Sequence, residues 1–182
     1  MISSGEVSAY EAPGAKTRLT ADYAPCGRLV AGGAAAGYRT LAMKPTLQPG
    51  LTFNFAYTVP KTKTVPHLYP ESEWFRAMPE VFATGFMVGL VEWACIDAIN
   101  PHLDWPAEQT VGTHVDLSHS AATPPGLSVT VEGRLASIDG RKLVFEVSAH
   151  DGVDTICEGR HERVVIDAAR FNQRVARKDP SA

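Results

Sequence analysis

Residues 79–100 read PEVFATGFMVGLVEWACIDAIN, and this stretch decides the fold. Pro79 suits the first turn of a helix and Pro101 suits its end, so we predict one long helix from Pro79 to about Asn100. Apolar residues within it recur at steps of three and four positions, which is the spacing of a stripe that faces a core. The predicted stripe consists of Phe82, Phe86, Gly89, Trp93 and Ile96.

Strand patterns lie on both sides of this helix, and Asp139-Gly140 and Asp151-Gly152 indicate hairpin turns between the later ones. One strand, one long helix and four antiparallel strands predict an α+β layer structure in which a curved sheet wraps the helix. That is the hotdog arrangement. Such sheets pair side by side, so we expect a homodimer. The predicted strands are Leu51–Val59, Thr110–His119, Leu127–Leu135, Leu143–Ala149 and Val153–Ile166, and a polar helix from about Asp167 to Arg177 follows them.

The composition excludes several classes of function. The chain has 182 residues, 45% apolar and 20% charged residues and a net charge of −3, which is typical of a globular domain without a nucleic-acid or anionic-membrane partner. Cys26, Cys95 and Cys157 have neither CxxC nor metal-like spacing, and no pair of histidines suggests zinc. We therefore expect no metal or cofactor, and a cytoplasmic protein with reduced thiols.

The first 42 residues differ in character from the rest. They are rich in Ala and Gly and show no sustained periodicity, so we predict a mostly disordered N-terminal extension followed by one domain over residues 43–182. A start at Met43 is the alternative interpretation, because MKPTLQPG leads directly into the first strand.

Three polar residues indicate chemistry. Thr84 and Glu92 interrupt the apolar helix, and His119 lies in the run LSHSAATPPG. A carboxylate in apolar surroundings must be solvated, paired or used. A hydroxyl, a carboxylate and an imidazole are the components of acyl-transfer sites. Thr84 and Glu92 are separated by about 12 Å along a helix and about 80° around it, so they can line one groove at two heights.

Five longer runs carry a family resemblance: HLYPES (67–72), PEVFATGFMVGLVEWAC (79–95), SHSAATPPGLSVTV (118–131), VSAHDGVD (147–154) and HERVVI (161–166). With these runs the chain resembles the fluoroacetyl-CoA-specific thioesterases, a hotdog family. The resemblance implies that Thr84, Glu92 and His119 are catalytic. It also implies that Gly112 lies against the acyl group and that Arg163 borders the site.

The resemblance further implies a hydrophobic lid. Val65, Leu68 and Phe75 match the lid of the family, whereas Met78 stands where the family has a phenylalanine associated with fluoroacyl selectivity. Methionine fills a similar volume without the rigid shape of a ring. The departure therefore affects the expected preference for fluoroacetyl more than the expected hydrolysis.

The implied activity is hydrolysis of fluoroacetyl-CoA to fluoroacetate and coenzyme A, which confers self-resistance to fluoroacetate. Glu92 would act as nucleophile or base with help from Thr84, while His119 would handle protons at the substrate and the leaving thiolate. Removal of the α-proton by His119 is an alternative route. A short-chain acyl-CoA thioesterase of relaxed selectivity and a non-catalytic acyl-CoA-binding hotdog dimer are the competing interpretations. A hotdog dehydratase or hydratase fits the trio less well.

Overall fold

The computed structural model describes residue 41 and residues 43–178. Except for Leu41, the predicted N-terminal extension lies outside the described residues. The strands are β1 (Thr52–Thr58), β2 (Glu108–Leu117), β3 (Ser128–Asp139), β4 (Lys142–His150) and β5 (Thr155–Asp167). The helices are α1 (Glu73–Arg76), α2 (Thr84–Ile99) and α3 (Ala168–Ala176), with short 3-10 turns at Lys61–Lys63, Val65–His67 and Asn100–His102.

The five strands form one antiparallel sheet in the order β1-β3-β4-β5-β2. The two predicted hairpins are present, and Gly140 and Gly152 have φ angles of 55° and 88° in their turns. A side chain is strained at such angles, which is why glycine follows aspartate at both turns. The hairpins place β3, β4 and β5 side by side, and the longer connections leave β1 and β2 at the edges of the sheet.

Helix α2 covers one face of the sheet and contacts β1, β2 and β3. Alternate strand residues point toward it, as the pairs Val129 and Val131, and Leu143 and Phe145, show by their complete burial. The opposite face of the sheet carries exposed ion pairs such as Arg134 with Glu146 at 2.7 Å. One sheet around one long helix is the layer structure that the sequence predicts. None of the helices in the described part of the chain is long and apolar enough to cross a membrane.

The predicted start of the long helix is wrong by five residues. The helix begins at Thr84, and Phe82 instead forms an isolated β-bridge with Thr64. Backbone groups before the helix bond to other loops, because Phe82 N–H donates to Thr123 O at 2.8 Å and Ala83 N–H donates to Lys63 O at 3.1 Å. These partners satisfy the donors that a further helical turn would have used. Thr84 is therefore the first residue of the helix.

The predicted core stripe is also wrong. Trp93 is 50% exposed, Gly89 is exposed and Phe86 is only half-buried. Helix α2 is apolar on almost every side, so the spacing of its large residues does not tell which side meets the sheet. The residues of the buried side are Met87, Leu90, Val91, Ala94, Cys95 and Ile99.

Candidate active site

Thr84 and His119 form a hydrogen-bonded pair at the N-terminus of α2. The distance from Thr84 Oγ1 to His119 Nδ1 is 2.8 Å. His119 does not end β2 as predicted, because the strand stops at Leu117. Ser118 and Ser120 attach the segment on both sides of it to β5, through backbone bonds of 2.9 Å to Glu158 O and Ile156 O. The imidazole is thereby held against the first residue of the helix.

The His119 ring is half-buried, and burial lowers its pKa below the usual value of 6.5, while the backbone of Ala121 acts in the opposite direction. A lowered pKa means that the ring stays neutral at pH 7 and can accept a proton. Within residues 43–178 its buried Nε2 has no hydrogen-bond partner. Thr84 Oγ1 is the side-chain partner of the ring, which is the arrangement of a hydroxyl beside its base.

The N-terminus of α2 also offers free donors. Its N-cap is Ala83, which has no side chain that could accept a hydrogen bond. The first helical N–H with a backbone acceptor is that of Met87, which donates to Ala83 O at 2.9 Å. Among the residues that the structure describes, the N–H groups of Thr84, Gly85 and Phe86 have no acceptor, so they are available to a ligand beside the Thr84–His119 pair. Such donors stabilise an oxyanion well.

Glu92 belongs to a second polar cluster two turns along the helix. Its Oε1 accepts from Arg163 Nη1 at 3.2 Å, and 39% of its side chain is exposed. Arg163 is buried, and Thr110 binds it twice: Nε donates to Thr110 Oγ1 and Nη2 donates to Thr110 O, both at 3.0 Å. In the described part of the chain the other carboxylate oxygen of Glu92 has no partner. The cluster thus holds one oxygen and leaves the other for a ligand.

His161 is a member of this cluster that the sequence reasoning missed. It is fully buried, its Nδ1 is 2.9 Å from His114 O, and its Nε2 is 3.0 Å from Arg163 Nη1. The run HERVVI contains it, and the alternation of a strand places residues 161 and 163 on the same face of the sheet. The spacing of two residues between His161 and Arg163 was therefore the sequence signal that could have placed His161 beside Arg163.

Gly112 lies directly beneath the Glu92 carboxylate. A Cβ at this position would overlap Glu92 Oε1 and would approach His161 Cε1 to 3.2 Å. The backbone of Gly112 does not require glycine, so the requirement is one of space. The register of β2 against β5 shifts between Gly112 and His114, directly after this glycine. The resemblance placed Gly112 at the acyl group, and in the structure it adjoins Glu92.

We expect Gly112→Ala to lower kcat/KM for the substrate by about 10²-fold, because a displacement of about 1 Å in a catalytic group costs this much. The added methyl must push the Glu92 carboxylate away from its position. Steady-state kinetics and a thermal melt of the variant measure the effect. Gly89→Ala on the exposed side of α2 is the matched control, since a Cβ there meets no atom within 4 Å. Equal activity of both variants would contradict the prediction.

The chain thus contains two separate groups of predicted site residues. Thr84, in one group, and Glu92, in the other, have backbones about 12 Å apart along the axis of α2. Three of the predicted lid residues, Val65, Leu68 and Phe75, are half-buried, and Met78 is 53% exposed. The Leu68 side chain contacts α2, because a Cβ at Gly85 would lie 3.1 Å from its Cδ2.

Two of the surface cavities among the described residues are not lined by any residue of the predicted trio. One of about 560 Å³ lies between β1, β3 and β4 and is lined mainly by polar side chains of the sheet. The other, of about 230 Å³, lies between α2 and Tyr57 and is lined by residues such as Phe86 and Trp93.

The structure also bears on metal and cysteine chemistry. Across residues 43–178 no cluster of three or more His, Cys, Asp or Glu side chains could hold a metal ion. Cys95 lies on α2 near Arg163, but burial raises the pKa of its thiol to about 12. Cys157 is buried too, and its pKa is raised to about 11. Neither thiol forms the thiolate that a nucleophile requires.

Comparison with known proteins identifies close relatives. Residues 63–169 match the sequence pattern of the family described as fluoroacetyl-CoA-specific thioesterases. A fluoroacetyl-CoA thioesterase from Streptantibioticus cattleyicolor is 54% identical over 139 residues, which cover 76% of this chain and 99% of the relative. A structure of a fluoroacetyl-CoA-specific thioesterase variant with fluoroacetate and CoA is 56% identical, with a TM-score of 0.67 and coverage of 69% of this chain and 100% of that one.

A more distant structure bears on the fold alone. The hot-dog-like protein from Thermanaerovibrio acidaminovorans is 19% identical and superposes with a TM-score of 0.62, covering 75% of this chain and 94% of that one. Together with the close relatives, this likeness confirms the predicted hotdog fold.

Proposed function

The chain belongs to the family of fluoroacetyl-CoA-specific thioesterases, and from this premise we propose that it hydrolyses fluoroacetyl-CoA to fluoroacetate and coenzyme A. The observation that carries the proposal is the 2.8 Å hydrogen bond between Thr84 Oγ1 and His119 Nδ1 at the start of α2. It joins two residues 35 positions apart that the family resemblance had already named together. We further propose that the protein is a cytoplasmic homodimer and that its reaction detoxifies fluoroacetate.

In the proposed reaction either Glu92 attacks the thioester carbonyl, giving a mixed anhydride that water then hydrolyses, or a water molecule deprotonated by Glu92 attacks it. In both cases the C–S bond breaks and the thiolate of coenzyme A leaves with a proton. Glu92 acts as nucleophile or as the base for water, with its free oxygen toward the substrate and its Oε1 held by Arg163. Thr84 and the first N–H groups of α2 stabilise the oxyanion. His119, neutral at pH 7 because burial lowers its pKa, shuttles the proton to the leaving sulfur.

The fluorine permits a second route to the same products. It makes the carbonyl carbon more electrophilic and the α-proton more acidic, so His119 could remove that proton first. Cleavage of the C–S bond then releases the thiolate and leaves a ketene, which adds water to give fluoroacetate. The fate of α-deuterium in labelled fluoroacetyl-CoA distinguishes the two routes. Loss of deuterium to solvent during turnover supports proton removal, whereas complete retention supports direct attack on the carbonyl.

The lid is the part of the site that bears on selectivity. Leu68 packs on α2 beside Thr84, so the acyl group would bind beneath an apolar cover. A dry cover strengthens the interaction of the C–F dipole with the nearby Arg163 charge. Met78 supports the second candidate, a short-chain acyl-CoA thioesterase of relaxed selectivity, because a flexible side chain excludes acetyl less strictly than a ring.

We expect Met78→Phe to raise the ratio of kcat/KM for fluoroacetyl-CoA over acetyl-CoA by about fivefold to tenfold, the lower end of the about 1–3 kcal/mol that small shape differences in an apolar site are worth. The ring restores the aromatic residue that the family has at this position. Release of coenzyme A, followed with a thiol reagent, gives both constants. The control is Trp74→Phe, which places a phenylalanine at a second exposed position of the same segment. An unchanged or lower ratio would remove Met78 from substrate choice.

A second copy of the chain would complete the site. Strand β2 is an edge strand of ten residues, and its segment Gly112–Asp116 is exposed. Its unpaired backbone groups are a template for another strand, and Val115, 43% exposed, lies among them. Pairing of β2 with its copy by a two-fold axis would continue the sheet and would cover the open surface beside Glu92. Sedimentation analysis that finds only monomer would refute the homodimer.

Thiol release from fluoroacetyl-CoA tests the proposed function. The expected result is rapid release from fluoroacetyl-CoA and a much lower kcat/KM for acetyl-CoA. A ratio of the two kcat/KM values near one would favour the short-chain thioesterase of relaxed selectivity. Binding of acyl-CoA without any thiol release would favour the non-catalytic acyl-CoA-binding protein.

A further inference from the structure

His161 is a buried imidazole that no step of the proposed reaction uses. It lies on β5 two residues before Arg163, and its side chain is completely excluded from solvent. Buried ionisable groups are costly unless their polar atoms are paired, so such a residue requires a reason. Both ring nitrogens have partners, one on β2 and one on β5.

These partners determine where the proton of the ring lies. Nδ1 is 2.9 Å from the carbonyl oxygen of His114, and a carbonyl can only accept, so Nδ1 carries the proton. Nε2 then has a free lone pair. Arg163 Nη1, 3.0 Å away, can only donate, and it therefore donates to Nε2.

Protonation of the ring is disfavoured in this place. An imidazolium would direct an N–H at the N–H of the guanidinium, so the two donors would face each other without an acceptor. Burial has the largest effect and lowers the pKa of His161. The hydrogen bond to the His114 carbonyl raises it by less, the Arg163 charge lowers it, and the charges of Glu92 and Glu162 raise it by the smallest amounts. The 3.7 Å approach of Nε2 to Glu92 Oε1 is consequently not an ion pair.

Arg163 Nη1 has two N–H groups and two acceptors. One acceptor is His161 Nε2 at 3.0 Å, and the other is Glu92 Oε1 at 3.2 Å. Thr110 holds Nε and Nη2 on the other side of the guanidinium. The bond from Nη1 to His161 therefore fixes the direction of the N–H that reaches Glu92. On one side the carboxylate lies against Gly112, where even a Cβ would overlap Glu92 Oε1.

We propose that His161 is a positioning residue: as a neutral hydrogen-bond acceptor it orients Arg163, and through Arg163 it aims the Glu92 carboxylate at the substrate. The kinetic part of this inference rests on the proposed thioesterase function, whereas the structural part does not. Thr110 also binds Arg163, but it accepts from Nε and Nη2. His161 instead accepts from Nη1, the nitrogen that donates to Glu92.

Two substitutions separate positioning from simple packing. In His161→Asn the amide can still donate to His114 O, but no acceptor remains at the place of Nε2. In His161→Gln the longer side chain can bring its oxygen to that place and accept from Arg163. We expect His161→Asn to lower kcat by about 10- to 100-fold with KM changed less than about threefold, since a hydrogen bond to a charged group is lost. His161→Gln should stay within about threefold of the wild-type kcat.

Glu162→Gln is the matched control on the same strand. Glu162 points to the opposite face of the sheet, where it pairs with Lys142 at 2.8 Å, and such surface pairs contribute little. We expect its kcat to equal that of the wild type. Thermal melts of all three variants identify any that do not fold.

NMR of the ¹⁵N-labelled guanidinium groups tests the positioning without any turnover. Restricted rotation of Arg163 should be seen in the wild type and in His161→Gln and should be lost in His161→Asn. Unchanged Arg163 signals in His161→Asn would overturn the inference, and so would equal losses of kcat and stability in both variants. If the wild type fails to hydrolyse the thioester, the proposed function fails and the Arg163 signals still decide the role of His161.

Discussion

Glu92→Gln is expected to reduce kcat/KM for fluoroacetyl-CoA by about 10³-fold or more, as removal of a central catalytic group does. The amide keeps the shape of the side chain, and its oxygen can still accept from Arg163 Nη1, which lies 3.2 Å from the carboxylate. What the variant loses is the negative charge, which both the nucleophile and the base require. Thiol release under steady-state conditions measures the decrease in kcat/KM, and KM shows whether the substrate still binds.

Asp97→Asn is the control for the charge of α2. Asp97 lies on the exposed side of the same helix, so its substitution removes a carboxylate of equal charge away from Arg163 and Gly112. We expect the activity of this variant to equal that of the wild type. Glu92→Gln with more than about a tenth of the wild-type kcat/KM would exclude Glu92 from the chemical step.

The second large effect is expected for Thr84 and His119, and it should be non-additive. Thr84→Val and His119→Ala should each lower kcat/KM by about 10²- to 10³-fold. The kcat/KM of the double variant should be only slightly below that of the less active single variant. The reason is the 2.8 Å hydrogen bond between the two side chains, because once one partner is lost the other cannot perform its share. A double-mutant cycle of four proteins measures the coupling.

The chain contains a matched control for this cycle. Thr46 Oγ1 and His102 Nδ1 form an exposed hydrogen bond of the same 2.8 Å length, at the opposite end of α2. Thr46→Val and His102→Ala should leave kcat/KM unchanged, singly and together. Independent effects of Thr84→Val and His119→Ala, multiplying in the double variant, would contradict the assignment of the two residues as one unit.

Much of the sheet could be predicted from the sequence because local signals agree there. Asp139-Gly140 and Asp151-Gly152 mark turns that need positive φ angles, so the sequence predicts that β3, β4 and β5 lie side by side. Apolar and polar residues alternate between the turns, which predicts the side of the sheet that faces the core. The helix was harder. Its end near Asn100 was predicted, whereas its start was not, because the donors of Phe82 and Ala83 are satisfied by Thr123 and Lys63 from distant loops.

The buried side of α2 could not be read from spacing. Large residues such as Phe86 and Trp93 lie on the outside, and smaller ones such as Ala94 and Cys95 face the sheet. A helix that is apolar all round gives no contrast between sides, so packing against the sheet decides. The orientation of α2 on the sheet matters for the site, because it directs Glu92 toward Arg163, whereas Trp93 packs against Phe55 of β1.

The site was predicted through the family resemblance, and single residues would not have been enough. Thr84 and His119 are separated by 35 positions, and no local pattern shows that Ser118 and Ser120 fix the imidazole beside the helix. The role of His161 depends on the direction of its two hydrogen bonds, which only coordinates give. The catalytic roles of the trio remain a proposal that the substitutions above test.

A crystal structure with a non-hydrolysable analogue of fluoroacetyl-CoA, in which a methylene replaces the sulfur, tests convergence of the trio most directly. We predict an acyl carbonyl that contacts the Thr84–His119 pair and lies within about 3.5 Å of a Glu92 carboxylate oxygen from either copy of the proposed homodimer, near Gly112 and beneath the lid. An acyl group bound elsewhere, for example in the cavity beside Tyr57 and Trp93, would contradict the proposed site.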